Sequence, residues 1–297
     1  MPDSAIIIPS VLNGLTTGGL YALVALGLTL IYGVLHIINF AHGALLMLGL
    51  YAVYFLNVQF GIDPYVALLI VPPAMFALGY ALQRGIIGRA SHGRDENILL
   101  VTLGLSIIIE NLSLYFFRSD TRTVDTPYSF DVVEIFGAFL PYPKVVAFIG
   151  ALVTAALLWL LMSRTDLGRA IRALAKERKG AQLVGINADH VFAMSFGLGV
   201  ACLGVAACLL LPSYYVNPQV GGGFVLIAFT IVVLGGMGSF VGALIGGLII
   251  GVVEALGGLF LGESLGQIGI FLIFILVLIF RPNGLFGAKA STKPTNC

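Results

Sequence analysis

Charge is what this sequence has least of. Only 10% of its 297 residues are charged, against a norm of about 25% in soluble domains, and no lysine or arginine precedes Arg84. The first scarcity excludes a soluble globular fold. The second removes the basic region that a secretory signal peptide needs, so MPDSAIIIPS is expected not to be one. Cysteine is scarce too: Cys202 and Cys208 share one apolar run and Cys297 stands apart, which leaves no zinc or disulfide framework. No G-x-x-x-x-G-K-[ST] phosphate loop occurs, so the chain is expected to bind no ATP or other cofactor itself. His36 and His42 are six apart, on different faces of any helix, and no metal or catalytic constellation is predicted.

What is present is hydrophobic residue, 59% of the chain, with a mean hydropathy of +1.05. Apolar runs long enough for a core of about 30 Å recur along it, and the short alternating strands of an outer-membrane barrel do not. The expected class is all-α and polytopic, one transmembrane domain over 1–297 with eight to ten helices. Spans are predicted near 6–34, 42–58, 64–84, 97–117, 144–163, 190–211, 223–236, 240–260 and 267–280. Of the 15 basic residues, twelve lie in Arg84–Arg94, Arg164–Lys179 and Arg281–Lys293, which marks those segments as cytoplasmic. Segment 118–143 carries Asp120, Asp125, Asp131 and Glu134 and is expected outside, as is the N-terminus, with the C-terminus inside. Nine crossings satisfy this arrangement.

The polar exceptions are the candidates for function. Asn13, Thr17 and Tyr21 recur at four-residue intervals, with Thr16 beside them, and so form a stripe on one helical face. That stripe lines a path or bonds neighbouring helices. Asn39 to Gly43, with His42, interrupts two apolar runs; a helix broken there leaves N–H groups able to hold a carboxylate, or the two side chains satisfy the broken backbone. A matching joint, Gly235, Gly236, Met237, Gly238, Ser239, is a poor helix interior and a good turn. The two joints belong to a weak internal echo that runs in the same direction, a possible parallel pseudo-repeat. Glu110 and Glu254 sit alone in apolar spans, either as ion sites or in structural and interface roles, with Glu110 expected to be the more buried. Gly242, Gly246, Gly247 and Gly251 are spaced for close helix packing.

The segment 164–189, "RTDLGRAIRALAKERKGAQLVGIN" through Asn187, reads as two short helices. Thr165 or Asp166 caps the first, whose apolar face, Leu167, Ile171 and Leu174, opposes Arg169, Arg172 and Lys176. Ala181 to Val184 form a second apolar turn, stopped by Gly185. With nothing in their own chain to cover them, these faces are expected on lipid or in a partner's groove.

Four ordered stretches, "GLTTGGLYALVALGLTLIYGVLHIINFAHG", "GRAIRALAKERKGAQLVGIN", "VVLGGMGSFVGALIGGL" and "RPNGLFG", resemble the LivH-like permeases of bacterial branched-chain amino acid ABC importers. The resemblance spans nearly the whole chain. It implies an inner-membrane permease subunit working by alternating access with a second, LivM-like permease, two cytoplasmic ATPases that carry ATP and Mg, and a periplasmic substrate-binding protein. No nucleic-acid partner is implied. Segment 164–189 then resembles the importer coupling loop, with Ala181 and Gly185 at matching positions and Arg169, Arg172 and Ile186 beside them. Relatives often carry an acidic residue where this chain has Ala44 and a lysine where it has Ile227, so urea, short amides and other amino acids stay open as substrates. An ion-coupled carrier or channel using Glu110 or Glu254 is the competing class.

Overall fold

A computed structural model describes residues 4–90, 95–135, 137–262, 266–281 and 284–286; Arg94, Lys289, Lys293 and Cys297 of the sequence reading fall outside them. The elements in chain order are α1 (Ser4–Leu35), α2 (His42–Phe60), α3 (Val71–Leu82), α4 (Gly88–Ala90), α5 (Asp95–Phe117), β1 (Val132–Ile135), β2 (Ala138–Pro141), α6 (Tyr142–Arg164), α7 (Asp166–Lys176), α8 (Arg178–Leu183), α9 (Ala188–Leu210), α10 (Val220–Gly235), α11 (Phe240–Leu261) and α12 (Gly266–Phe280). Six of them, α1, α2, α5, α6, α9 and α11, are long and apolar enough to cross a membrane, while α10 and α12 are shorter apolar helices. All nine predicted spans are thus helical. The third is composite: a 3-10 turn (Val66–Leu69), α3 behind Pro72 and Pro73, and a π-helical turn (Gln83–Ile87) leading into α4. The polar segment 118–143, expected as loop, carries the antiparallel hairpin β1–β2.

Helix ends collect at two poles. At the basic end lie Leu35, Arg84, Arg89, α7, α8 and the joint 236–239; at the loop end lie the 118–141 segment and residues 211–219. The loop end is tied across the chain: Arg122 and Val216 exchange backbone hydrogen bonds (2.9 and 2.8 Å), and the Tyr128 hydroxyl donates to Asp63 Oδ2 (2.7 Å).

The bundle is built on α1, which packs along α11, α9, α10 and α6. Inside a bilayer helices gain nothing from hiding apolar surface from water, so close backbone approach must hold them together. Such close approach runs over several turns between α1 and α11. A Cβ on Gly251 would lie 2.3 Å from Gly14 O and 2.4 Å from Gly18 Cα, and one on Gly247 would lie 2.5 Å from Ala22 Cβ. The four-residue glycine spacing is therefore a contact seam. Burial follows: the central stretch of α1 from Ala22 to Ile31 is buried, whereas only about a fifth of the spanning stretches of α5 and α6 is buried.

Gly251→Ala is expected to destabilise the chain by about 2 to 3 kcal/mol, because backbone rather than a movable side chain meets the new methyl. Gly222→Ala, with nothing within 4 Å of the new Cβ, should stay within about 0.5 kcal/mol. Thermal unfolding of both variants in detergent checks the contrast, and equal midpoints would contradict the seam.

Candidate functional site: a polar cavity at the loop end

Helical spacing puts Asn13, Thr17 and Tyr21 on one face of α1, and that face walls a cavity of about 750 Å³. Lys144, at the start of α6, donates from Nζ to Asn13 Oδ1 (2.8 Å). Its ammonium also faces the Glu254 carboxylate of α11, which the Tyr21 hydroxyl meets as well. Thr16 turns inward and donates to Asn13 O of its own helix (2.8 Å). The other wall is aromatic. Tyr214 stacks on Tyr215 with centroids 4.5 Å apart and meets Phe224 edge-on at 5.5 Å; Phe224 in turn meets Tyr21 at 6.1 Å. Burial, then the neighbouring Tyr215 hydroxyl, hold the Tyr214 phenol above its ordinary range, so it stays a neutral donor at physiological pH.

The cavity exists because α10 starts late. Pro212 and Pro218 keep residues 211–219 out of a long helix, and Asn217 Oδ1 accepts from Gln219 N (3.1 Å), closing a turn just before Val220. Ile227, about two turns into α10, is on the cavity wall.

One expectation about the carboxylates changes. Glu254 does not sit alone, since Lys144 from the start of α6 shares its cavity. Glu110 is half-buried, as Glu254 is; Ser106 Oγ donates to it (3.2 Å), and its neighbour Asn111 is exposed on the peripheral helix α5.

Asn39, His42 and Gly43 are inside the bundle rather than on the cavity wall. Asn39 Oδ1 accepts from Ala41 N (3.1 Å), an Asx turn that starts α2. His42 lies 3.0 Å through Nε2 from Val24 O; a carbonyl only accepts, so Nε2 carries the proton. At about 1.5 Å per residue Val24 is about 16 Å from the Leu35 end of α1, so α2 begins near mid-depth. Its first turn meets the first turn of α10, where a Cβ on Gly43 would lie 2.2 Å from Gly221 O, and Ala44 is buried beside it. Two helix N-termini therefore converge in the interior. Among the described residues the Asn39 Nδ2 and His42 Nδ1 atoms there have no hydrogen-bond partner.

The second joint is built differently. Gly236 (φ 97°) and Gly238 (φ 86°) take the left-handed turn that other residues resist, Gly235 packs on the Gly242 carbonyl, and Ser239 Oγ caps α11 by accepting from Gly242 N (3.1 Å). Leu285 and Phe286 return to donate to the α10 carbonyls of Leu234 and Gly235 (2.8 and 3.1 Å).

Segment 164–189 corrects another expectation. The α7 face is not left to lipid or a partner: Ile171 and Leu174 are 2% and 4% exposed, packed with Ala181 on Leu30, Val34, Met162, Val191 and Phe192. The end of the bundle offers an apolar seat that local sequence could not reveal. Thr165 is the cap, accepting from Gly168 N (3.1 Å). Arg169 pairs with Asp166, and Arg172 donates to Met162 O, fixing α7 to the end of α6. What is left bare is the tip of α8, where Leu183 and Val184 are 89% and 77% exposed. Gly185 (φ 89°) ends the helix, and Ile186 N donates to Ala181 O (3.1 Å). The second apolar turn, Ala181 to Val184, thus divides: Ala181 is buried against the bundle, while Leu183 and Val184 are bare as expected of that turn, although the sequence reading singled out Ala181, Gly185 and Ile186 rather than these two.

A polytopic helical bundle with a polar cavity at one end and a surface-mounted pair of short helices at the other is a membrane transport subunit. The comparisons place it further. Residues 10–280 match the family described as branched-chain amino acid transport system / permease component, and the chain belongs to that family. It is 35% identical over 307 residues to the high-affinity branched-chain amino acid transport system permease protein BraD of Pseudomonas aeruginosa, covering 99% of this chain and 100% of that one. To the corresponding permease protein LivH of Escherichia coli K12 it is 34% identical over 300 residues, 95% of this chain and 96% of the other.

Lys144→Met and Glu254→Gln are expected to be non-additive: the pair should lose less stability together than the sum of the single losses, by at least about 0.5 kcal/mol. A double-mutant cycle on detergent-solubilised protein reads this, and strict additivity would separate the two groups.

Proposed function

We propose that this chain is a permease subunit of an ATP-driven importer of branched-chain amino acids in the bacterial cytoplasmic membrane. Full-length similarity to permeases named for that substrate supports the reading, and the observation that carries it is the loop-end cavity. There an ammonium, Lys144, and a carboxylate, Glu254, stand beside an aromatic and aliphatic wall. A free amino acid presents the complementary set: a carboxylate, an ammonium and an apolar side chain. By the positive-inside rule the basic end is cytoplasmic, so the cavity opens to the periplasm and the N-terminus is outside with the C-terminus inside.

In this reading a periplasmic binding protein delivers substrate to the cavity, whose wall carries Asn13, Thr17 and Tyr21. The N-terminus of α10 is at the cavity wall, and that of α2 packs against it from the interior. Their free N–H groups, with Asn39 and His42, stabilise the carboxylate as the bundle rearranges, and Gly43, Gly235, Gly236 and Gly238 supply the points of close contact and turning. A second permease completes the membrane unit. Two cytoplasmic ATPases bind ATP and Mg and receive the bare tip of α8 in their grooves. Ala181 and Gly185 shape the tip of α8, Ile186 packs behind it, Arg169 braces the first turn of α7 through Asp166, Arg172 holds α7 to the bundle, and Leu183 with Val184 enters the groove.

The double variant Leu183→Asp/Val184→Asp should abolish amino-acid-stimulated ATP hydrolysis and reduce leucine uptake at least tenfold. Because both side chains are exposed, membrane insertion and unfolding temperature should not change. Normal stimulated hydrolysis by a correctly inserted variant would overturn the docking of α8, and leucine uptake unaffected by deletion of the chain would overturn the transport reading itself.

A further inference from the structure

A second cavity, of about 370 Å³, sits at the basic end between the π-helical turn, α4, the start of α5, and the first turns of α8 and α9. Its volume is within the range of small-molecule sites, about 300 to 1,000 Å³. Arg84, Arg89 and Arg178 bring guanidinium groups to it and Asp189 a carboxylate. Among the described residues Asp189 makes no ion pair with any of the three. Two of the arginines are held in place: Arg84 donates to the Tyr80 hydroxyl (2.8 Å), and the Arg178 guanidinium lies 5.0 Å from the centre of the Phe192 ring. A separate observation marks the site as made for a ligand. Gln83, 4% exposed, also lines it, and its Oε1 has no hydrogen-bond partner. A buried acceptor without a donor is costly.

The mixture decides the ligand class. A simple anion would satisfy the guanidinium groups but face Asp189 and the Gln83 carbonyl oxygen. A simple cation would face three guanidinium groups. A zwitterion meets both, its carboxylate on the arginines and its ammonium on Asp189 and Gln83 Oε1. Asn187 and His190, the latter hydrogen-bonded through Nδ1 to the Tyr80 hydroxyl (3.1 Å), complete the polar side of the wall, and Leu35, Ile37, Ile98 and Phe192 give it an apolar side that suits an aliphatic side chain.

We infer that the basic-end cavity is a binding site for a free aliphatic α-amino acid, separate from the loop-end cavity. It rests on the proposed function for its substrate class and for the cytoplasmic side of this end. An occupant bridges Arg178 of α8 to Gln83 and Arg84, so it ties the coupling segment to the third span. Accumulated substrate thereby restrains the segment through which ATP hydrolysis acts.

The test is equilibrium dialysis of radiolabelled leucine against the full chain, purified in mild detergent with whatever subunits accompany it and without binding protein. Asp189→Asn and Gln83→Met should each weaken one class of saturable sites at least tenfold, while Asp189→Glu retains it, all three eluting like the wild type in gel filtration. Leucine binding unchanged in the first two variants would overturn the inference. So would a site that binds inorganic phosphate and no leucine. Either result leaves the transport reading intact, since that stands or falls on uptake by cells with and without the chain.

Discussion

The arrangement depends on one contact, the glycine seam between α1 and α11. In water a helix pair can rely on burying apolar side chains, but in lipid those side chains lose nothing by facing outward. Contact energy must come from dispersion and aligned backbone dipoles at short range, and only glycine permits the spacing seen at Gly14, Gly18, Gly247 and Gly251. The seam also sets the chemistry. Asn13 and Thr17 each precede a seam glycine by one residue, and Glu254 follows Gly251 by three. Bringing the glycines together therefore brings the polar stripe and the carboxylate to the rim of the same cavity.

A second constraint is the cost of unsatisfied backbone in a membrane. Residues 36–41 and 211–219 are irregular chain leading to helices that begin inside the bundle, and each start is handled by an Asx turn, at Asn39 and at Asn217. The joint at 236–239 meets the same constraint with left-handed glycines and with hydrogen bonds borrowed from residues 285 and 286. The interior start of α2 has a further consequence: it moves His42 from the basic end to the level of Val24. Asn39 and His42 thus lie near mid-depth of the bundle rather than at its basic end.

Local pattern was enough to find the spans, the stripe Asn13, Thr17, Tyr21 and the two short helices, because hydropathy and helical spacing act within one segment. Partners across the fold were not legible. Nothing near Glu254 in the sequence announces Lys144, which is 110 positions away, and nothing in α7 announces that the ends of α1, α6 and α9 form an apolar seat for Ile171 and Leu174. Position in the bundle was equally hidden: Glu110 looks central when counted along α5, yet α5 is peripheral. Such gaps share one cause, that burial belongs to the assembled bundle rather than to the segment.

Seating α7 on the bundle changes what segment 164–189 can transmit. A pair of loose helices would slide on the membrane surface and pass little force inward. Here Arg172 is bonded to the α6 terminus, Ile171 and Leu174 are wedged among Leu30, Val34 and Phe192, and α8 leads within a few residues into α9. Displacement of the bare tip at Leu183 and Val184 therefore acts on α1 and α9 together. These helices touch at Gly27 and Gly199, and a Cβ on Gly27 would meet the His42 ring at 3.3 Å. A push on α8 has a continuous, close-packed route to the interior start of α2, through contacts too tight to absorb it by side-chain rearrangement.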